Sequence, residues 1–119
     1  MKLLNCILIS TILLAQSPSS AIKAETAITL NQVATEMYHV IRDDARSGMG
    51  GTGGASFAVE WPQVTTQVKA SLATTTSTLT ALGISDAAVT TYLNGTEPQS
   101  ISDVAGLAAA VQGMKAKIQ

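Results

Sequence analysis

Apolar residues recur at every third or fourth position over several stretches of this chain, and this spacing constrains the fold more than any other feature. Such spacing places apolar side chains along one side of an α-helix. We therefore predict an all-α fold, a small antiparallel bundle of three to four helices with a Gly-rich connecting loop.

The first helix is predicted from about Leu30 to Ala45, and Thr29 with Gln32 has the spacing of a capping box at its start. Its apolar stripe consists of Leu30, Val33, Ala34, Met37, Tyr38, Ile41 and Ala45. Five of the ten residues in the segment 47–56 are Gly, which disfavours regular structure. That segment is the predicted connecting loop.

The second helix is predicted from about Pro62 to Leu82, because Pro suits the first turn of a helix and Gly83 suits the residue after its end. Its narrow apolar seam consists of Trp61, Val64, Val68, Leu72, Thr75, Leu79 and Leu82. The Thr-rich run at 74–78 weakens helix formation, so a strand over residues 73–80 is the alternative. We favour the helix, because these residues lack the apolar–polar alternation of a half-buried strand.

A short third helix is predicted from Asp86 to Leu93. Ser85 is its expected N-cap, because a hydroxyl can accept a hydrogen bond from a free N–H of the first turn. The pair Asn94-Gly95 is its expected stop signal, since Gly readily adopts the left-handed conformation that ends helices.

The fourth helix is predicted to begin at Ser100, with Asp103 in a variant of the capping box. Its apolar stripe consists of Ile101, Val104, Leu107, Ala108, Val111, Met114 and Ile118. Its other side carries only small residues, namely Ala105, Ala109, Gly113 and Ala116. Two interpretations stay open: a face that lets another helix approach closely, or an ordinary helix-favouring surface.

The chain begins with a short basic start and a mostly apolar segment at residues 3–15, followed by small residues. This order is typical of a secretory signal peptide, which we call the leader. We expect cleavage after Ala21 or, as a second candidate, after Ala24. The apolar segment is too short for a membrane-spanning helix, which needs about 20 residues. The alternative is that residues 1–21 stay attached as an apolar arm that packs against a partner subunit.

Residues 22–119 are expected to form a single domain with a thin core. They contain 12 of the 20 Leu and Ile residues, 8 Val and 1 Phe, which is close to the compositional limit for folding. Self-association or a partner protein would compensate for such a core, so we predict a homo-oligomer or a protein partner. A net charge of −1 argues against nucleic acid as that partner. No stable membrane span is expected once the leader is removed.

Glu36 and His39 have the Glu-x-x-His spacing of di-iron carboxylate bundles. In a helix, however, Glu36, His39 and Asp43 lie opposite the predicted apolar stripe, whereas the ligands of such a site face inward. We interpret them, together with Arg42 and Arg46, as a solvated charged surface. One Cys and one His in the whole chain also do not suffice for a disulfide framework or a Cys/His zinc site. We expect no metal ion and no cofactor.

Residues 48–53 match the pattern G-x-G-x-x-G, but a dinucleotide-binding fingerprint needs a preceding strand and a following helix. Here a predicted helix precedes the match, so we do not assign a dinucleotide site to it.

His39 is the only imidazole available as a general base. Ser47 and Asp43 are close to it in sequence, yet no nucleophile-elbow motif surrounds them. We therefore assign no catalytic residues and expect that the protein is not an enzyme.

These features favour a non-enzymatic structural or assembly subunit that binds copies of itself or a partner protein. Its candidate interaction residues are Trp61, Ala105, Ala109 and Gly113. If the leader is cleaved, we expect export to the periplasm or the extracellular space. If it is retained, we expect a component of a particle such as a phage virion. The alternative function is a secreted helical module that holds a small apolar ligand in a cavity lined by Met37, Tyr38 and Trp61.

Overall fold

A computed structural model describes residues 18–48 and 55–118 of the chain, and within these ranges it contains four helices and no strand. They are α1 (Ser20–Gly48), α2 (Phe57–Ala81), α3 (Ala87–Leu93) and α4 (Ile101–Ala116). The prediction of a small all-α bundle is confirmed. The apolar segment at 3–15 and most of the Gly-rich segment lie outside the described residues.

The helix α1 is the centre of the bundle, because it packs along both α2 and α4. It runs antiparallel to α2: the Asp44 carboxylate, near the end of α1, accepts a hydrogen bond of 2.8 Å from the N–H of Phe57, the first residue of α2. It also runs antiparallel to α4, since the Lys115 ammonium donates a hydrogen bond of 3.1 Å to the side-chain oxygen of Asn31. The short helix α3 packs against α2 and α4 and joins the two flanking helices.

The start of α1 differs from the prediction, because the helix begins about ten residues before Leu30. The Ser19 hydroxyl accepts a hydrogen bond of 3.2 Å from the N–H of Ile22 and so caps the first turn. Thr29 is an interior residue whose hydroxyl donates to the Glu25 carbonyl, rather than an N-cap. The helix extends because Thr26, one turn before Leu30, continues the buried stripe against the bundle. The candidate cleavage positions after Ala21 and Ala24 therefore lie in the first turns of α1.

The start of α2 also differs, because the helix begins at Phe57, five residues before Pro62. Two contacts explain the earlier start. The Phe57 ring stacks on the ring of Trp61, one turn later, with centroids 6.5 Å apart. Asp44 accepts from the Phe57 N–H, which has no partner within its own helix. Pro62 is thus inside the helix, where its missing N–H leaves one backbone hydrogen bond unmade.

The end of α2 agrees with the prediction. The helix continues through the Thr-rich run to Ala81, so the strand alternative for residues 73–80 is wrong. The hydroxyls of Thr74 and Thr75 each donate a hydrogen bond of 2.7 Å to the backbone carbonyl three residues earlier, which satisfies them within the helix. Gly83 follows with a φ of +72°, the left-handed conformation expected after the helix end.

The caps of the last two helices are nearly as predicted. The N-cap of α3 is Asp86 rather than Ser85, because the Asp86 carboxylate accepts from the N–H groups of Ala88 and Val89. Ser100 is the N-cap of α4, and its hydroxyl accepts from the Asp103 N–H at 3.3 Å. Both helices therefore begin at side chains that satisfy free backbone donors.

The core is a single cluster in which the predicted stripes of α1, α2 and α4 meet. Its fully buried aliphatic and Met side chains come from all three long helices, and they include Leu30, Met37, Val40, Val68, Leu72, Val104 and Val111. The stripe of α1 contains Val40 in addition to the predicted residues, whereas Tyr38 and Ala45 are exposed. Tyr92 and Ile84, in and before α3, complete the cluster.

Candidate functional site

The outward side of α4 carries six exposed residues without long side chains, which we call the small-residue face: Ser102, Ala105, Gly106, Ala109, Gly113 and Ala116. A methyl group placed on Gly106 or Gly113 would have no neighbour within 4 Å outside the backbone of its own helix. All six residues are exposed, so no other described helix covers this face. The three predicted interaction residues of α4 thus lie together on one open surface.

Trp61, the fourth predicted interaction residue, lies in the core instead, with only 3% of its surface exposed. It is packed between the rings of Phe57 and Tyr92, whose centroids are 6.5 and 6.1 Å from its own. Its indole N–H donates a hydrogen bond of 3.2 Å to Glu97. Trp61 therefore anchors the first turns of α2 within the chain and offers almost no surface to a partner.

Glu97, in the connection between α3 and α4, accepts hydrogen bonds from three side chains of α2. The Trp61 indole and the Thr65 hydroxyl both donate to Oε1, at 3.2 and 2.7 Å. The Lys69 ammonium pairs with Oε2. Burial alone would raise the pKa of Glu97, but the hydrogen bonds from Lys69, Thr65 and Trp61 outweigh that effect and lower it. The carboxylate is therefore held in its charged form.

Tyr92 joins the same network from α3. Its hydroxyl donates to the Thr65 carbonyl at 3.0 Å and lies 2.8 Å from the Thr65 hydroxyl. The Lys69 ammonium lies 5.0 Å from the centroid of its ring, a cation–π distance. Burial raises the pKa of Tyr92 to about 12, so the phenol stays neutral. The network fixes α3 and the 94–100 connection against α2.

A groove of about 540 Å³ lies between α3 and α4, beside this network. Tyr92 and Glu97 form part of its wall, and Ser102 and Gly106 of the small-residue face form its edge. The groove is therefore continuous with that face. No sequence motif indicates this region, because its polar residues are 27 to 36 positions apart in the chain.

Met37, Tyr38 and Trp61 do not line a common cavity. Met37 is fully buried among the core side chains and Trp61 is almost so, whereas 45% of Tyr38 is exposed on the surface of α1. The cavity that the ligand-binding alternative requires is therefore not formed by these three residues. None of these three residues lines the groove beside Tyr92.

Glu36 and His39 lie on the exposed side of α1, away from the core, as their spacing predicted. The Arg42 guanidinium donates a hydrogen bond of 2.7 Å to Nδ1 of His39 and lies 3.7 Å from the Asp43 carboxylate. Within the described ranges, no three His, Cys, Asp or Glu side chains are grouped so that they could hold a metal ion.

One contact between carboxyl groups lies at the loop end of the α1–α2 pair. The Glu60 carboxyl is within hydrogen-bond reach of the Asp43 carboxyl, and Oε2 of Glu60 is buried without a hydrogen-bond donor among the described residues. Burial raises the pKa of Glu60, and the Asp43 carboxyl raises it further, against the opposing effect of Arg42. Protonation of Glu60 would remove a negative charge from this site beside Asp43.

Apart from Gly48, the G-x-G-x-x-G match at residues 48–53 lies outside the described residues, and α1 rather than a strand precedes it. Comparison of the chain with protein-family models, curated proteins and solved structures gives no match.

Over residues 18–48 and 55–118, no helix is both long enough and apolar enough to cross a bilayer.

Proposed function

We propose that this protein is a non-enzymatic assembly subunit that works by packing its helices against copies of itself or against a partner protein. One observation carries the proposal: the small-residue face is exposed along the whole of α4, while the opposite side of the helix is buried in the bundle. Small side chains let two helix axes approach to about 8 Å, at the close end of helix packing distances. A helix that docked there would cover backbone and methyl groups that are now in water.

Further apolar groups on the surface support the same proposal. Ile22 and Ile28 on α1 are 46% and 59% exposed, and Val59 on α2 is 56% exposed. Single exposed aliphatic residues are normal in monomers. Together with the thin core, they are in keeping with a chain that gains stability when it associates.

The proposed setting depends on residues 1–21. If they are removed, the subunit belongs to the cell envelope or the extracellular space. If they are retained, they supply an apolar arm to neighbouring subunits of a particle such as a phage virion. The intact mass of the native protein distinguishes these settings, because the two forms differ by the mass of the leader.

Light scattering after size-exclusion chromatography tests the assembly function. We expect a molar mass that rises with protein concentration above the 12.2 kDa of a full-length single chain. Ala109→Arg should abolish that rise, because it places a long charged side chain in the middle of the small-residue face. Ala73→Arg makes the same change at an exposed position of α2 and should leave association intact.

A clean monomer at every concentration would contradict self-association. The ligand-binding alternative would then be favoured, with the groove between α3 and α4 as its place. Circular dichroism of both Arg variants should match the wild type, since neither position is buried.

A further inference from the structure

The turn that follows α3 consists of Asn94, Gly95 and Thr96. These residues match the acceptor pattern of asparagine-linked glycans, Asn-x-Ser/Thr, in which x is any residue except Pro. The other two Asn residues of the chain are each followed two positions later by an aliphatic residue, which has no hydroxyl. The match at 94–96 is thus the only one in the sequence. A pattern of three residues also occurs by chance, so the geometry of the turn has to support it.

The turn is open to solvent. Asn94, Gly95 and Thr96 are all exposed. Gly95 has a φ of +111°, and a methyl group placed on it would have no neighbour within 4 Å. An enzyme could therefore reach the Asn94 side chain without displacing another part of the fold.

The backbone of the turn is held without its side chains. The N–H groups of all three residues donate hydrogen bonds of 3.0–3.1 Å to backbone carbonyls of α3. The Asn94 amide and the Thr96 hydroxyl, by contrast, form no hydrogen bond with another described residue. A modification of Asn94 would therefore break no contact of the bundle.

Comparable side chains elsewhere in the described chain are occupied. The side-chain oxygen of Asn31 accepts a hydrogen bond of 3.1 Å from α4. The hydroxyl of Thr90, on α3 itself, donates a hydrogen bond of 3.0 Å to the Asp86 carbonyl. The two groups that a glycosyltransferase has to engage are thus free at the one place where the acceptor pattern occurs.

We propose that Asn94 carries an asparagine-linked glycan in the exported form of this chain. The proposal rests on the exported setting described above, because the acceptor pattern is used in secreted proteins. It does not depend on self-association.

The donor is a glycan whose first sugar is joined through its anomeric carbon to a lipid diphosphate. Nδ2 of Asn94 forms a bond to that carbon, and the bond between the carbon and the diphosphate oxygen breaks. The lipid diphosphate leaves, and one proton of the amide passes to solvent. The Thr96 hydroxyl takes no part in the bond changes, since it serves the recognition of the acceptor.

A glycan on Asn94 would also restrict where a partner can bind. Attached glycans are bulky and hydrated, so no partner surface could cover the turn at 94–96. Thr96 lines the groove between α3 and α4, and the glycan would therefore lie beside this groove. Association would have to use surfaces away from the turn.

Mass spectrometry of the native protein, isolated from its source, provides the first test. The intact mass is measured together with the mass of the tryptic peptide 70–115, which contains the turn and is released by cleavage after Lys69 and Lys115. We expect both to exceed the mass of the unmodified sequence by the same glycan.

Substitutions assign the attachment in the full chain, expressed with its leader in a eukaryotic cell that glycosylates its secreted proteins. Asn94→Gln and Thr96→Ala should each abolish the added mass, whereas Thr96→Ser should retain it because the hydroxyl is kept. Thr91→Ala, the matched control on α3, should leave the glycan in place. All three positions are exposed, so the fold should be unchanged.

A native chain that lacks its leader and has the mass of the bare sequence would overturn the proposal while export stands. A native chain that keeps residues 1–21 and carries no glycan would overturn export and the glycan together. In both cases light scattering still decides the assembly function separately. An added mass that persists in Asn94→Gln would place the modification on another residue and overturn the assignment.

Discussion

The Lys69 ammonium and the Glu97 carboxylate form an ion pair that joins α2 to the connection between α3 and α4. About a third of each side chain is exposed, so solvent weakens the pair. The ion pair is part of a larger network, because the same carboxylate also accepts hydrogen bonds from Trp61 and Thr65. Removal of that carboxylate would leave several donors of α2 without their acceptor.

We expect Glu97→Gln to lower the free energy of unfolding by about 1 kcal/mol at pH 7, a hydrogen-bond loss reduced for solvent exposure. The folded-state pKa of Glu97 is lowered from its ordinary value of 4.5, so its contribution is present above that pH. It is lost as the pH falls through the lowered folded-state pKa. Urea denaturation of wild type and variant should therefore converge in acid.

The matched control is Glu25→Gln, which makes the same change at an exposed position of α1. It should leave the free energy of unfolding at pH 7 nearly unchanged, since no side-chain network depends on it. Equal destabilisation by the two substitutions would show that the Glu97 network adds nothing to the fold.

The contribution of Glu60 to the free energy of unfolding should depend on pH in the opposite direction from that of Glu97. Its folded-state pKa is raised, so it stabilises the fold fully below its ordinary value of 4.5 and loses this contribution as the pH rises through the folded-state pKa. Glu60→Gln replaces the carboxyl by an amide that can donate to Asp43 at any pH. We expect this variant to melt at a higher temperature than the wild type at pH 7.

Melting curves of the wild type and Glu60→Gln from pH 3.5 to 8 provide the measurement. The gap between the two melting temperatures should widen as the pH rises and close in acid. Asp43→Asn removes the other carboxyl and should raise the melting temperature in the same pH range. A lower melting temperature of Glu60→Gln at pH 7 would contradict the raised pKa of Glu60.

Tyr92→Phe tests the part of the network that lies on α3. Loss of the hydroxyl leaves the Thr65 carbonyl without its side-chain donor, and we expect a cost of about 1 kcal/mol. Because the pKa of Tyr92 is about 12, the wild type should show a tyrosinate absorbance step near that pH. Ultraviolet titration of the variant should lack this step. If the wild type shows no separate step near pH 12, the Tyr92 hydroxyl is not buried in the network.

The main helices could be predicted because their signal is periodic. The stripes of α2 and α4, and most of that of α1, follow from the spacing of Leu, Val, Met and Ile, and tertiary packing agrees with them. Gly83 and Gly95 were also predictable as stop signals, and both have a positive φ.

The helix starts were less predictable, because tertiary contacts set them. The first residue of α2 is stabilised by Asp44 on another helix, and nothing in the local sequence indicates that contact. Ser19, which caps α1, lies before the predicted cleavage position after Ala21, where no helix start was predicted.

The candidate site, too, was predictable from the sequence only in part. The three predicted residues of the small-residue face are close in sequence, and helical geometry alone brings them together. The Glu97 network joins side chains from the connection and α2 that only the folded bundle brings within reach, so no local pattern could reveal it. For the same reason Trp61, a plausible contact residue by type, proved to be a core residue.

Two glycines of the described chain should respond in opposite ways to the same substitution. Gly83 has a φ of +72°, so Gly83→Ala forces a Cβ into the left-handed region and should cost about 1 kcal/mol. Gly106 is exposed within α4 with open space around it, so Gly106→Ala should gain about 0.5–1 kcal/mol from higher helix propensity. Chemical denaturation of both variants at low protein concentration measures the folding of the single chain without association. A gain in Gly83→Ala would mean that α2 does not end in the left-handed turn, and a loss in Gly106→Ala would mean that this side of α4 is already covered.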